Sequence, residues 1–97
     1  MLNPFRELRK WFYQKKVRKD YPSDEELILT VLKDGPLYGY RIMKSIEIIT
    51  NGNVRIGIAA LYVTLFTLSR KGLIRRSHTT LGVGGTARQY WELTKHD

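Results

Sequence analysis

The chain has 97 residues, room for one small domain and no second core. Hydrophobic residues make up 42% of it, yet no run approaches the roughly 20 apolar residues of a membrane-spanning helix, and the absence of cysteine excludes disulfides and thiolate zinc sites. Seventeen Lys and Arg against nine Asp and Glu leave a net charge of +8, which favours an anionic partner, either nucleic acid or an acidic membrane surface.

The charge is uneven. Residues 1–20 hold Arg6, Arg9, Lys10, Lys15, Lys16, Arg18 and Lys19 against only Glu7 and Asp20. Asn3-Pro4 reads as an N-cap followed by the first helical position, where proline loses no hydrogen bond. Phe5, Leu8 and Phe12 follow at i, i+3 and i+7 with Trp11 beside them, and the cations largely take the other faces. This predicts a basic amphipathic helix ending near Lys19. Tyr21-Pro22 makes a hinge, because proline turns the residue before it away from helix. The N-terminus lacks the apolar stretch of a signal peptide, so the expected location is cytoplasmic.

Ser23-Asp24-Glu25-Glu26 is a capping box, with the Ser23 hydroxyl accepting from the Glu26 N–H. Leu27, Ile28, Val31 and Leu32 form the apolar face of the helix it opens, and Asp34-Gly35-Pro36 ends that helix. A second helix starts at Gly39, with Tyr40, Met43 and Ile46–Ile49 expected inward and Arg41 and Lys44 outward. Asn51-Gly52-Asn53 is a turn by composition, and Val54-Arg55-Ile56 is a short extended piece, alternating apolar, basic and apolar, that reads as a short strand before the third helix.

Residues 57–74 carry the strongest periodic signal. Leu61, Leu65 and Leu68 place a leucine stripe on one helix face. Gly72 ends the helix, since a left-handed C′ position suits a residue without Cβ, and Arg70 and Lys71 sit where the dipole favours cations. Residues 73–80 and 87–94 then read as two strands around the glycine-rich tip Leu81–Thr86. On the second strand Gln89, Trp91 and Leu93 share one face and Arg88, Tyr90 and Glu92 the other. The same alternation puts Arg75 and Arg76 on opposite faces.

The order of elements predicts an α+β fold. It is a winged helix-turn-helix, with a three-helix core and a β-hairpin wing over residues 21–97, and an extra N-terminal amphipathic helix over residues 1–20. In such a fold the third helix enters the DNA major groove. On that helix Ala59, Ala60 and Val63 can meet thymine methyls, and Thr64 or Thr67 can hydrogen-bond base edges. The same small, uncharged surface also suits close approach with specificity read from DNA shape, or packing against protein. Arg55 just before the helix, with Arg41 and Lys44 beside it, extends a surface suited to phosphates. Free N–H groups at Tyr38-Gly39 suit an anion, although Gly39 also serves close helix approach.

Other chemistry is not supported. Gly82-Val83-Gly84-Gly85 is followed by no Gly-Lys-Ser/Thr and no helix, so it is a hairpin tip and not a phosphate loop. His78 and His96 are far apart and have no cysteine partners, so no metal or other cofactor is expected. No carboxylate pair or nucleophile–base pair appears, which points away from an enzyme.

Three stretches resemble the PadR-like transcriptional regulators. They are Ile28-Leu29-x-Val31-Leu32-x-x-Gly35-Pro36-Leu37-Tyr38-Gly39-Tyr40-x-Ile42, then Leu61-Tyr62-x-x-Leu65-x-x-Leu68-x-x-x-Gly72-Leu73-Ile74, then Gly84-Gly85-x-x-Arg88-x-Tyr90-Trp91-x-Leu93-Thr94. Together they cover about residues 25–95. The resemblance implies a homodimeric, DNA-binding winged helix, usually a repressor. It also implies that Arg88 of the wing motif touches the DNA backbone and that the Tyr62 phenol donates to a phosphate. The bland alternative for Tyr62 is half-buried packing under the wing. Family members usually dimerise through helices beyond the wing, whereas this sequence ends at Asp97. Phe5, Leu8, Trp11 and Phe12 are therefore the expected dimerisation face, ahead of added phosphate contacts and of membrane binding. No pocket for a small-molecule effector is legible. A winged-helix protein-interaction module is the competing reading, motivated by the uncharged third helix.

Overall fold

Helix α1 (Asp24–Val31) starts where the sequence signal places it, with Ser23 as N-cap and its Oγ accepting from the Glu26 N–H at 3.2 Å. The computed structural model describes residues 21–95. The predicted N-terminal helix and its face of Phe5, Leu8, Trp11 and Phe12 lie outside those residues, as does His96.

A single 3-10 turn (Leu32–Asp34) follows α1, and Gly35 leaves it at φ +137°, a conformation that excludes most L side chains. Then come β1 (Leu37–Tyr38), α2 (Gly39–Ile49), α3 (Ile58–Arg70), β2 (Ile74–Leu81), a short 3-10 turn at Val83–Gly85 and β3 (Ala87–Leu93). The three strands form one antiparallel sheet in the order β1-β3-β2. Among the described residues this is the α+β architecture of a winged helix.

The core lies where the three helices meet the base of the hairpin. Leu27, Ile28 and Leu32 pack against Ile42 and Ile46 of α2, Leu61, Leu65 and Leu68 of α3, and Ile74 and Trp91 of the wing root. Helix α3 ends in a Schellman motif. The Leu73 N–H reaches the Leu68 carbonyl and the Gly72 N–H reaches Ser69, with Gly72 at φ +75°. The chain can therefore turn straight from helix into wing.

Thr50 is the one buried polar residue among those described. Its hydroxyl donates to the Ile46 carbonyl at 2.7 Å and accepts from the Val54 N–H at 3.1 Å. This fixes the loop between α2 and α3, with Asn51 and Gly52 at φ +53° and +77° making the turn.

Two expectations are corrected. The third strand is not Val54-Arg55-Ile56. That segment is extended and alternates buried, exposed, buried, but forms no ladder. The sheet instead recruits β1, with Leu37 opposite Trp91 and Tyr38 opposite Tyr90. The inward face of α2 also differs. Ile42 and Ile46 are fully buried, whereas Tyr40, Ile48 and Ile49 are exposed. Helical geometry explains Tyr40 and Ile48, which at 100° per residue lie far around from the Gly39–Ile42–Ile46 stripe, while Ile49 is the last residue of the helix.

Candidate nucleic-acid interface

With Leu61, Leu65 and Leu68 buried, helix α3 turns the opposite stripe outward. Ala59, Val63, Phe66 and Arg70 recur there at i, i+4, i+7 and i+11 and are exposed. Ile58 and Val63 are among the most exposed apolar side chains of the protein, at 66% and 65%. The threonines beside the stripe are half-buried, and their hydroxyls bond back to their own helix. Thr64 Oγ1 donates to the Ala60 carbonyl at 2.8 Å and Thr67 Oγ1 to the Val63 carbonyl at 2.9 Å. Gly57 is the N-cap and contributes no side-chain acceptor to the leading N–H groups of α3.

A second group of side chains gathers where the wing meets the start of α2. Tyr38 is the N-cap of α2, and its side chain makes no capping bond. The Arg88 guanidinium lies 4.6 Å from the centre of the Tyr38 ring. Tyr38 also meets Tyr90 edge-on at 5.3 Å, and Tyr90 stacks on His78 at 4.3 Å. The irregular register between Arg76 and Thr79, a bulge in the ladder, sets Ser77 and His78 against the single partner Tyr90. A ladder of rings thus runs from the wing to α2 and carries Arg88 at its end.

Gly82 completes this arrangement. A Cβ there would stand 2.5 Å from Arg88 Nε and 2.8 Å from Cζ. The missing side chain is the space the guanidinium occupies. Arg88 has no acidic partner among the described residues. Tyr62, 39% exposed on α3, reaches the same place. A Cβ on Gly39 would stand 2.9 Å from the Tyr62 hydroxyl, so Gly39 serves close approach, as its steric reading expects. Tyr38, Tyr62 and Arg88 together line an open cleft of about 440 Å³ between the wing tip and the two helices.

Arg41 is exposed on the outer face of α2, and Arg55 is exposed in the loop before α3. Lys44, on the same face as Arg41, is half-buried and only 3.9 Å from Glu47. Other cations are engaged within the fold. Arg75 pairs with Glu92 at 2.7 Å and Lys71 with Glu25 at 2.8 Å, while Arg76 lies over the Trp91 ring. Arg75 and Arg76 sit on opposite faces, as strand alternation requires.

The predicted site residues therefore form two clusters and some outliers. Ala59, Ala60 and Val63, with Thr64 and Thr67 at the edge, make the outer face of α3. Tyr38, Tyr62 and Arg88 converge on the cleft. Arg41, Lys44 and Arg55 flank these clusters. Sequence reasoning missed Gly82, whose role depends on a long side chain six residues away across the hairpin. It also missed Phe66, which continues the outer stripe of α3 and meets Trp91 edge-on at 6.4 Å. The i, i+4, i+7 spacing from Ala59 carried that second signal. Among the described residues no group of His, Asp or Glu side chains is arranged to hold a metal ion, and no helix is long and apolar enough to cross a membrane.

Comparison with known proteins adds the family. No curated protein sequence matches the chain. Among solved structures, it is similar to a transcriptional regulator from Clostridium thermocellum, with 30% identity and a TM-score of 0.65 over 81% of this chain and 73% of that one. A PadR family transcription regulator from Clostridium difficile matches at 26% identity and a TM-score of 0.59, over 72% of this chain and 70% of the other. Bacillus subtilis PadR, solved in complex with operator DNA, shares the fold at 24% identity and a TM-score of 0.62, over 72% of this chain and 39% of that longer one. The model of the transcriptional regulator PadR-like family matches residues 28–96, from α1 to beyond the wing, and the chain belongs to that family.

Proposed function

We propose that this protein binds double-stranded DNA as a sequence-specific transcriptional regulator, with α3 in the major groove and the wing against the backbone. One observation carries the reading. Arg88 is stacked on Tyr38, accommodated by Gly82 and left without an acidic partner among the described residues, beside a helix whose outer face is convex and free of charge up to Arg70. A cation held in place but unneutralised suits a phosphate, and a convex uncharged helix suits a groove. The B. subtilis relative bound to operator DNA supports the same use of the fold.

In this reading the contacts divide by chemistry. Arg88, Tyr38 and Tyr62 take one phosphate at the cleft, and Arg41, Lys44 and Arg55 extend the backbone contacts. Ala59, Ala60, Val63, Thr64 and Thr67 face base edges. The protein acts in the cytoplasm as a homodimeric repressor. Its two α3 helices enter successive major grooves about 34 Å apart, and Phe5, Leu8, Trp11 and Phe12 join the subunits. Repression then works by occupancy of the operator, and an effector would act by changing the spacing of the two heads. A role at membranes is not favoured, and no catalytic role is assigned.

The exposed Ile58, Val63 and Phe66 favour one competing function, a protein-interaction module that docks a partner on α3. A salt titration separates the two. Binding through about six phosphates weakens by about three decades between 50 and 200 mM salt. The absence of binding to any duplex at low salt refutes the regulator reading.

A further inference from the structure

The outer face of α3 has a donor–acceptor character that narrows what it can read. The Thr64 and Thr67 hydroxyl protons are committed to the Ala60 and Val63 carbonyls. Each Oγ1 therefore has only acceptor capacity left for a ligand. The Tyr62 hydroxyl lies at Gly39, in the cleft and not on the outer stripe. Ala59 and Val63 offer only methyl groups. The side chains of the first three turns thus present apolar groups and acceptors, and no side chain on the stripe is a donor before Arg70.

The bases differ in how they meet such a surface. Guanine shows two acceptors in the major groove, N7 and O6, and demands donors of the Arg or Lys kind. Adenine shows the N6 amino donor beside its N7 acceptor, and its partner thymine shows the 5-methyl group beside its O4 acceptor. Cytosine offers a donor but no methyl. A surface of methyls and acceptors therefore engages an A·T pair through both its amino donor and its methyl, whereas guanine offers it neither and leaves two acceptors desolvated and unpaired.

We infer that α3 selects its half-site by the 5-methyl groups of thymine, seated against Ala59 and Val63, with Thr67 Oγ1 accepting from the N6 amino group of an adenine. The inference rests on the DNA-binding reading above and names the group that reading leaves open. It makes Val63 the main specificity residue, because Val63 is the bulkier and the more centrally placed of the two on the stripe.

The test uses the full-length protein and duplexes that it retains from a random pool at low salt. Each retained duplex is resynthesised with 2′-deoxyuridine replacing thymidine at one position at a time, which removes a methyl and nothing else. Loss of one seated methyl should weaken binding about fourfold. The same replacement should have almost no effect on the Val63→Ala protein at the position under residue 63, because the partner of that methyl is gone. Arg88→Ala should weaken both duplexes alike and leave their ratio unchanged. Equal affinity for thymine and uracil duplexes at every position of the half-site overturns methyl selection while DNA binding stands. If no duplex is retained, the DNA-binding reading itself fails, and methyl selection fails with it.

Discussion

Replacing Gly82 with alanine tests the phosphate clamp without touching any charge. Gly82 has φ −87° and ψ −170°, extended backbone that alanine adopts freely, so the hairpin tip should keep its shape. What changes is space, since the new Cβ would stand 2.5 Å from Arg88 Nε. The guanidinium is the far end of a flexible side chain, and it will swing away from the Tyr38 ring. The cost to folding is the cation–π interaction, about 0.5–1 kcal/mol at a partly exposed site. The cost to binding is larger. A hydrogen bond to a charged group contributes about 1.5–3 kcal/mol, so removing it should weaken DNA binding about ten- to a hundredfold. The slope of log affinity against log salt should fall by about 0.9 for each phosphate that the protein no longer neutralises. Fluorescence anisotropy on a labelled duplex across a salt series measures both, and thermal melting reports the fold. Arg88→Ala should weaken binding to every sequence equally, because a phosphate contact carries no base information. Arg88→Lys should recover part of the affinity, keeping the charge but not the planar stack on Tyr38. If Gly82→Ala binds as the unmodified protein does while Arg88→Ala fails, the guanidinium does not need its seat. If either variant changes sequence preference without weakening affinity, the backbone assignment is wrong.

Other expectations concern the fold and the assembly. Gly72→Ala meets no atom within 4 Å but holds an alanine at φ +75°, so thermal melting should show a loss of about 1–2 kcal/mol from conformation alone. Thr50→Val leaves the buried Val54 N–H without its acceptor and should cost about 1–3 kcal/mol in denaturant unfolding, whereas Thr50→Ser should recover most of it. Leu8→Asp combined with Phe12→Asp should turn a dimer into a monomer by sedimentation, and an unchanged mass refutes the N-terminal helix as the dimer element.

The parts legible in the sequence are those set by neighbours in the chain. The Ser23 cap, the leucine stripe of α3 and the Gly72 stop each depend on residues within about one or two helical turns, and each stands in the structure as read. What the sequence hid is long-range or degenerate. Strand β1 is two residues long and exists only because Trp91 and Tyr90, more than 50 residues later, supply its partners. Residues 46, 48 and 49 of α2 are all isoleucine, so periodicity alone could not show that only Ile46 faces the core. The pairing of Gly82 with Arg88 was hidden in the same way, since a glycine-rich tip looks like any hairpin turn until a side chain is seen folded over it.

On the proposed reading, the separation of charge from α3 has a physical consequence for selectivity. The net charge is +8, and seven of the seventeen cations lie in residues 1–20. Attraction of that kind is nearly indifferent to sequence and brings the protein to any duplex. A basic α3 would add to that indifferent pull and would gain donors that guanine welcomes. An uncharged α3 adds little attraction, but it makes wrong bases costly, because every guanine acceptor buried under Ala59 or Val63 loses water and gains no partner, at about 1–3 kcal/mol each. Specificity is a difference between affinities, and it is raised by penalising competitors as well as by rewarding the target. On the proposed reading, Arg88 and its flanking cations set how tightly the protein holds DNA, and α3 sets where, largely by rejection. Substitutions in the two groups should then separate cleanly. Removal of a cation should lower affinity at an unchanged ranking of sequences, and a donor placed on the stripe, as in Val63→Arg, should raise affinity overall while flattening the ranking toward guanine.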